Sequence, residues 1–233
     1  MSEINIIIHG FGGNPGELAY LTDFIRTKGL NTHVVTLAGH GGTRKQLAAT
    51  NHEDWIQSVK IEIKKLMDSY DKINLVGFSM GGLIAVNMVS IFGKDKIGKV
   101  VFINTPIYFW NLKIIAKDVL GNIAGRRKGK ISYYVNAASK TGIKSGINFL
   151  KIRSQTKRLL KNAKGDYMPV SLILQCTHDE SVRYKSAKYL KAKLGPSAHL
   201  KCYEGGCHQV FARTLHLRDI VCDDICNFIR HSK

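Results

Sequence analysis

The stretch NLVGFSMGG, residues 74–82, ends a hydrophobic run on a serine held between glycines. Gly77, Ser79 and Gly81 match the pattern G-x-S-x-G, which is typical of a tight turn from a strand into a helix. In such a turn, a Cβ at either glycine would clash with the neighbouring elements. The residues before the turn read as a short buried strand, and those after it read as a helix rich in apolar and small residues. Ser79 is therefore a candidate nucleophile.

Strand and helix patterns alternate along the rest of the chain. Strands are expected at Ile4–His9, Thr32–Leu37, Ile73–Phe78, Ile97–Asn104, Val170–Cys176 and Ala198–Tyr203. Helices are expected at Glu17–Lys28, His52–Ser69, Gly81–Phe92, Val182–Leu194 and Leu215–Ile229. This alternation predicts an α/β fold, with a mostly parallel six-stranded sheet and helices on both of its faces.

Residues 107–165 interrupt the alternation, and this segment is too long for an ordinary connection. It carries fourteen Lys and Arg residues against one acid, Asp118, and so holds most of the formal net charge of +18. It also contains apolar helical stretches. We therefore predict a basic, mostly helical cap (lid) insertion at 107–165 over a core formed by 1–106 and 166–233. The cap is expected at the carboxyl ends of the strands, where open α/β sheets bind ligands.

Length and composition indicate one globular domain without a signal peptide or a metal site. A chain of 233 residues can form one sizeable α/β domain with an insertion. The first residues, MSEINIIIHG, have no basic region and only a short apolar run, so we expect no signal peptide and a cytoplasmic protein. The five cysteines then predict reduced thiols. Their spacing matches no zinc-binding pattern, so we expect no metal.

A serine nucleophile needs a base, a group that orients the base, and donors for an oxyanion. In sheets of this kind the partners follow in the order serine, acid, histidine. The stretch LILQCTHDESV places Asp179 just after a late strand, and KCYEGGCHQVF places His208 just after the last one. We therefore predict a catalytic triad of Ser79, His208 and Asp179. The alternative for Asp179 is an acid that stabilises the N-terminus of the following helix.

Other histidines fit the role of the base less well. His178 precedes the acid and would point the other way, and His216 lies within the last helix pattern. His9 and His40 come before the serine, and we interpret them as residues that hold loops in place.

Two backbone N–H groups are expected to form the oxyanion hole. One belongs to Met80, which follows the nucleophile, and the other to Phe11, in the loop after the first strand. The same loop, GFGGNPG, is also a candidate for binding a dinucleotide. However, Pro15 stands where the third glycine of G-x-G-x-x-G belongs, and no acid follows the second strand. We therefore expect no dinucleotide, and the triad chemistry needs no other cofactor.

Taken together, HGFGGNPGEL, LAGHGG, EDW, GFSMGG, HDESV and GGCHQVF resemble the α/β-hydrolase carboxylesterases of the bacterial monoacylglycerol lipase-like group. The resemblance runs from Ile4 to about Phe228 and is weakest across the cap. It implies the α/β-hydrolase fold, the triad and the two oxyanion donors named above. It also implies short- to medium-chain acyl esters as small-molecule substrates, with monoacylglycerols among them. The basic cap, and GGCH in place of the usual Ser-Gly-His, depart from that group and leave the substrate open.

The cap raises two questions that the sequence leaves open. Its first residues, Ile107, Tyr108, Phe109 and Trp110, either line a substrate-binding acyl pocket or dock the cap on the core. Its basic residues either attract anionic substrates, bind an anionic membrane surface, or form a solvated Lys-rich face. The sequence contains no recognisable nucleic-acid-binding motif, so no nucleic-acid partner is expected.

Two further functions are compatible with these residues. One is an acyltransferase or thioesterase that uses the same triad with another acceptor or leaving group. The other is a non-catalytic ligand-binding protein, because the same fold supports several functions. The presence of all three triad residues favours a serine hydrolase over the binding protein.

Overall fold

The computed structural model describes residues 2–109, 133–163 and 167–231, with the backbone alone for 133–140. The strands are β1 (Glu3–Ile8), β2 (Thr32–Val35), β3 (Lys72–Phe78), β4 (Ile97–Ile103), β5 (Val170–Cys176) and β6 (Ala198–Tyr203). They form one sheet in the order β2-β1-β3-β4-β5-β6, and every neighbouring pair is parallel. The predicted parallel six-stranded sheet is confirmed.

Helices cover both faces of the sheet, as predicted. They are α1 (Ala19–Thr27), α2 (Arg44–Ala49), α3 (His52–Leu66), α4 (Met80–Lys96), α5 (Tyr133–Asn162), α6 (Lys185–Leu194), α7 (Val210–Arg213) and α8 (Leu215–His231), with a short 3-10 helix at Pro15–Leu18. Successive side chains of a strand point to opposite faces. Accordingly, Ile6 and Ile8 of β1 join the core beneath α3, α4 and α6, whereas Ile7 joins the core beneath α1 and α8. Burial on both faces explains why the strands read as continuous apolar runs.

The largest difference between a predicted and an observed helix start lies at α6. The sequence pattern predicts a helix from Val182, but α6 begins at Lys185. Val182 instead forms an isolated antiparallel bridge with Phe109, and its N–H donates to the Asp179 carboxylate at 2.7 Å. Val182 therefore lies outside the helix, because its backbone pairs with Phe109 and with the Asp179 carboxylate.

The predicted cap lies partly outside the described residues, and its boundaries at 107 and 165 stay a prediction. Within it, the structure describes 107–109 and α5, a long helix with a kink at Gly142, where φ is +79°. Helix α5 packs against α2, α3 and α4. Buried polar contacts join it to α4, because Asn87 Nδ2 donates to Thr156 Oγ1 at 3.0 Å and Gln155 Nε2 donates to Asn87 Oδ1 at 2.9 Å.

Candidate active site

The turn between β3 and α4 holds Ser79 in an unusual backbone conformation. Its φ of +50° and ψ of −117° lie in a region that residues with a Cβ rarely adopt. Two hydrogen bonds fix the turn: Ser79 N donates to Ile103 O of β4 at 2.8 Å, and Gly82 N donates to Ser79 O at 3.0 Å. Such strain persists only where the surrounding structure determines it, and it is common at functional sites.

The glycines of the turn are required by close backbone contacts. A Cβ on Gly77 would lie 2.5 Å from the carbonyl carbon of Gly81, and a Cβ on Gly81 would overlap the carbonyl oxygen of Ile8. A Cβ on Gly82 would overlap the side chain of Thr105. The pattern G-x-S-x-G therefore has a steric cause in this fold, since β1, β3 and α4 meet at the turn.

The structure brings Ser79, His208 and Asp179 together at the carboxyl ends of β3, β6 and β5. His208 Nε2 lies 3.1 Å from Ser79 Oγ, and His208 Nδ1 lies 2.8 Å from Asp179 Oδ2. All three residues are buried, with exposed fractions of 8%, 3% and 4% for Ser79, His208 and Asp179. With Nδ1 protonated and donating to the carboxylate, Nε2 is free to accept the serine proton.

Backbone N–H groups fix the orientation of the Asp179 carboxylate. Its Oδ1 accepts hydrogen bonds from the N–H groups of Ser181 and Val182, each at 2.7 Å, which leaves Oδ2 for His208. The alternative role as an acid at a helix N-terminus does not fit, because α6 begins only at Lys185. The short loop after β5 therefore presents this carboxylate to the histidine.

The loop that carries His208 is held by side chains from two other loops. Glu180 Oε2 accepts the His208 N–H at 3.1 Å, and Arg213 pairs with Oε1 of the same carboxylate at 2.6 Å. Burial opposes ionisation of Glu180, but N–H donors of its own residue and of His208, together with the charge of Arg213, lower its pKa below the ordinary value. An ionised Glu180 thus helps to position the histidine. The ring of Phe78 lies 5.2 Å from the His208 ring.

Asn104 is a second residue that positions the histidine, and the sequence analysis gave it no role in the site. It is fully buried, with φ of +47°, at the end of β4. Its Nδ2 donates to His208 O at 2.9 Å, and its Oδ1 accepts the Cys176 N–H at 2.9 Å. Asn104 therefore joins the ends of β4 and β5 to the histidine loop. The sequence signal was an asparagine at a strand end, since Asn tolerates positive φ better than most residues.

The predicted oxyanion donors lie in the two expected elements. Met80 is the first residue of α4, where a backbone N–H has no partner within the helix. Phe11 follows Gly10 in the loop after β1, and Gly13 N donates to Gly10 O at 3.3 Å within that loop. Their joint role as an oxyanion hole stays a prediction.

Glu17 supports the same loop, and the sequence analysis did not identify it. Its Oε1 accepts the Gly10 N–H at 2.5 Å, and its Oε2 accepts Gln209 Nε2 at 3.4 Å. A Cβ on Gly13 would lie 2.5 Å from Oε1, so the loop passes directly over the carboxylate. Burial raises the pKa of Glu17. This one side chain therefore connects the Phe11 loop to the residue that follows His208.

Burial favours the neutral forms of the two loop histidines, His9 and His40. His9 Nδ1 donates to Gly10 O at 2.9 Å and Nε2 accepts the Leu37 N–H at 3.2 Å, so His9 links the end of β1 to the segment after β2. Burial lowers the pKa of His9 to about 4. Burial also lowers the pKa of His40, whose ring packs against those of His9 and Trp55. These contacts agree with their interpretation as loop-holding residues.

The predicted substrate-binding residues have different surroundings. Ile107 is fully buried in the core, and the ring of Tyr108 packs edge-on against Tyr189 at 5.5 Å. The backbone of Tyr108 is hydrogen-bonded to Ser186 and Arg183. These contacts attach the start of the segment to α6 and the loop before it. Trp110 lies outside the described residues.

Phe109 belongs to a row of aromatic rings that begins at the Phe11 loop. The ring centroids of Phe11 and Phe149 are 5.1 Å apart, and those of Phe149 and Phe109 are 5.7 Å apart. All three side chains are half-buried. Phe149 lies on α5 and was not identified from sequence, because nothing in its local pattern distinguishes it from the other apolar residues of that helix.

Metal-binding side chains do not cluster in the described part of the chain. Among residues 2–109, 133–163 and 167–231, no cluster of three or more His, Cys, Asp or Glu side chains could hold a metal ion. All five cysteines are free thiols, and burial raises the pKa of Cys176 to about 12. Within the same part of the chain, no helix is long and apolar enough to cross a membrane.

Comparisons with known proteins support the fold described above. A family model described as alpha/beta hydrolase fold matches residues 6–120. The chain is 25% identical to a carboxylesterase of Bacillus subtilis (strain 168), across 96% of this chain and 91% of that protein. The resemblance stated from the motifs is thus confirmed.

Solved structures show the same fold. A metagenome-derived lipolytic enzyme superposes with a TM-score of 0.78 at 19% identity, covering 98% of this chain and 94% of that one. The monoacylglycerol lipase of Paleococcus ferrophilus superposes with a TM-score of 0.71 at 18% identity, covering 97% of this chain and 93% of that one. The sheet and its helices therefore form an α/β-hydrolase fold.

Proposed function

We propose that this chain, a carboxylic ester hydrolase with the α/β-hydrolase fold, cleaves short- to medium-chain acyl esters with a triad of Ser79, His208 and Asp179. The observation that carries the proposal is the unbroken hydrogen-bond series from Ser79 Oγ through the His208 ring to Asp179, at 3.1 Å and 2.8 Å. A serine hydroxyl is a weak nucleophile until a base accepts its proton, and His208 Nε2 is within reach to do so.

In the first step, Ser79 Oγ attacks the ester carbonyl carbon while His208 Nε2 takes the hydroxyl proton. The imidazole becomes positively charged, and the Asp179 carboxylate stabilises it through Nδ1–H. Because two N–H groups hold Asp179 Oδ1, the carboxylate does not need to reorient as the charge forms. The site is thus organised before the reaction begins.

The carbonyl oxygen becomes an oxyanion in this step, and the N–H groups of Phe11 and Met80 are proposed to bind it. Loss of a single donor of this kind costs roughly a hundredfold to a thousandfold in turnover in other serine hydrolases. The Glu17–Gly10 hydrogen bond supports the loop that carries Phe11, and Met80 is fixed as the first residue of α4. Only the backbone N–H groups of Phe11 and Met80 are needed, so this role does not restrict which side chains stand at these positions.

The C–O bond to the alcohol then breaks, and His208 gives its proton to the leaving oxygen. This leaves an acyl group bonded to Ser79 Oγ. Water attacks that ester with His208 again as the base, the acid is released, and Ser79 recovers its proton. Side chains, backbone N–H groups and water supply every group in the proposed cycle, which therefore requires no metal or organic cofactor.

The aromatic row of Phe11, Phe149 and Phe109 is the proposed wall of the acyl pocket. It starts at the residue whose N–H is expected to bind the oxyanion, and it continues to Phe109, for which the sequence left substrate binding and docking of the cap as alternatives. Apolar side chains that line a cleft favour binding of alkyl groups. Since the structural relatives include a monoacylglycerol lipase, monoacylglycerols are proposed among the substrates.

A surface on α5 supports the proposed contact with anionic membranes. Ile143 is 82% exposed and Ile147 is 50% exposed, and residues four apart lie on one face of a helix. Lys144 and Lys151, both exposed, flank them. Apolar groups beside cations are typical of helices that bind anionic lipid surfaces. Vesicle sedimentation should show binding that requires anionic lipid, falls with salt and weakens in Ile143→Ser, whereas Leu215→Ser on α8 serves as the control.

Hydrolysis of 4-nitrophenyl butyrate tests the proposed function directly. Ser79→Ala should lower turnover by roughly 10⁴-fold or more, because the nucleophile is lost while the fold is kept. Ser69→Ala, at an exposed position, is the matched control. If folded Ser79→Ala retained near-normal turnover, the proposed nucleophile would be wrong. If the wild type formed an acyl-enzyme but passed the acyl group mainly to an added alcohol or thiol, the acyltransferase would be favoured instead.

A further inference from the structure

A cavity of about 310 Å³ lies beside the Phe11 loop and has no role in the reaction described above. Three parts of the chain form its walls: Gly12 of that loop, the segment Gly39–Arg44 before and at the start of α2, and Thr141 of α5. Gly12 follows Phe11 directly, so the cavity adjoins the loop that is proposed to bind the oxyanion. A Cβ on Gly12 would lie 2.6 Å from Thr141 Cγ2, which shows how closely α5 approaches there.

Arg44 is the cation of this cavity. It is exposed, and it forms no ion pair with a residue in the part of the chain that the structure describes. Its guanidinium lies against the backbone of α5, because a Cβ on Gly142 would be 2.9 Å from Arg44 Nε. The described residues that line the cavity include no acid. No acid among the described residues therefore pairs with the positive charge of Arg44.

The backbone at Gly142 adds a second source of positive potential. Its φ of +79° and ψ of 164° divide α5, so a new helical segment begins at Ile143 and runs to Asn162. The first N–H groups of such a segment have no partners inside it, and they carry the positive end of the helix dipole. A guanidinium beside this end repels it unless an anion lies nearby. The two features together favour a bound anion.

We propose that this cavity is a subsite for an anionic group, a carboxylate or a phosphate, carried by the ester substrate. The proposal rests on the ester hydrolase function proposed above and specifies its substrate class. Arg44 donates to the anion with its planar guanidinium, a geometry that matches both carboxylate and phosphate oxygens. The net charge of +18 further raises the local concentration of anionic substrates.

Two pairs of esters distinguish the acyl side from the alcohol side. On the acyl side, the 4-nitrophenyl monoester of glutaric acid carries a carboxylate where 4-nitrophenyl valerate ends in a methyl group. On the alcohol side, 1-butyrylglycerol 3-phosphate carries a phosphate that 1-butyrylglycerol lacks. The quantity measured is the ratio of kcat/KM for the anionic ester to kcat/KM for the neutral ester of each pair, in the wild type and in Arg44→Gln.

The ratio should fall about tenfold or more in Arg44→Gln for one of the two pairs, as expected for loss of a charge-assisted hydrogen bond. Lys45→Gln is the matched control, since Lys45 is the next residue, is exposed and does not line the cavity. In the wild type, the same ratio should fall as salt is added. Arg44→Lys keeps the positive charge but lacks the planar guanidinium. Its kcat/KM ratio should therefore lie between those of the wild type and Arg44→Gln.

The pair that responds identifies the part of the substrate that bears the anion. An unchanged ratio in both pairs overturns the proposal, and so does a wild type that hydrolyses neither anionic ester. Equal losses for the anionic and neutral esters in Arg44→Gln also overturn it, because Arg44 would then act on structure alone. Hydrolysis of the neutral esters by the wild type tests the proposed function separately, so the two failures are distinguishable.

Discussion

The edge of the sheet that carries the proposed triad differs from helix α5 in how many contacts its side chains make. At this edge, Asp179 and His208 are almost completely buried, and each makes several hydrogen bonds. On α5, by contrast, Ile143 is 82% exposed and the helix is divided at Gly142. We infer from this difference that the buried residues hold the proposed triad in place, whereas α5 contributes to the choice of substrate.

Replacement of Asp179 by Asn tests the core side of this comparison most strongly. The amide would present N–H or oxygen to the histidine without a charge, and it would favour the wrong imidazole tautomer. In other serine hydrolases the equivalent change costs about 10⁴-fold in kcat. A loss of roughly 10³- to 10⁴-fold in kcat for ester hydrolysis is expected here.

The control for Asp179 is Glu180→Gln, which alters the neighbouring carboxylate and should cost much less. Circular dichroism should show that both variants fold. If folded Asp179→Asn kept kcat within tenfold of the wild type, Asp179 would not be the group that orients the histidine.

The pH dependence of stability tests whether His9 is a structural group of the core. Burial lowers its pKa from 6.5 to about 4, so between these values the unfolded chain binds a proton that the folded protein does not. Stability should therefore fall as pH drops from 6.5 to 4, by about 3 kcal/mol from this group. Denaturant unfolding across that pH range measures the slope.

His9→Asn should be less stable at pH 7, because the two backbone hydrogen bonds change, but its stability should depend less on pH below 6.5. His216→Asn, at an exposed position, should keep the wild-type slope. An identical slope in His9→Asn and the wild type would show that His9 does not resist protonation.

Glu17→Gln tests the support of the oxyanion loop. The amide keeps the shape of the side chain but replaces the carboxyl group whose Oε1 accepts the Gly10 N–H. We expect kcat to fall about tenfold with little change in KM, since the bond supports a transition-state contact. Burial raises the pKa of Glu17, so ionising it costs stability as pH rises, and the variant should be no less stable at pH 7.

Glu204→Gln, an exposed change in the turn after β6, is the control for Glu17. A folded Glu17→Gln variant with unchanged kcat would mean that the carboxylate only fills space beneath the loop.

Phe149→Ala tests the side of the comparison that lies on α5. Loss of the ring removes the middle of the aromatic row, so longer acyl chains should lose more binding than short ones. With about 0.8 kcal/mol per buried methylene, kcat/KM for an octanoate ester should fall up to about tenfold relative to an acetate ester. A series of 4-nitrophenyl esters measures this preference, with Ser154→Ala, exposed on the same helix, as the control. A uniform loss at every chain length would contradict an acyl-pocket role.

The sequence predicts the sheet well, and it also places the three proposed triad residues at strand ends, because these signals are local. A serine between glycines, an acid after a late strand and a histidine after the last strand each follow a strand end, and parallel strands bring those ends to one edge. The actual distances then follow from the sheet order, in which β3 and β5 both flank β4.

The supporting residues could not be predicted because their roles depend on contacts far along the chain. Asn104 bonds to His208, Glu17 to Gln209, and Phe149 packs against Phe11. The predicted helix start at Val182 was wrong for the same reason. The backbone of Val182 pairs with Phe109, and its N–H donates to the Asp179 carboxylate. Apolar periodicity predicts which face of a helix is buried, but it does not predict which distant loop that face contacts.

Labelling with a fluorophosphonate probe, followed by mass spectrometry of the modified peptide, determines whether Ser79 is an activated nucleophile. We expect Ser79 to be the modified residue in the wild type, and we expect labelling to slow by at least roughly 10³-fold in folded His208→Ala. Modification of another serine, no modification of the folded wild type, or equal labelling of the two proteins would contradict an activated serine at the end of β3.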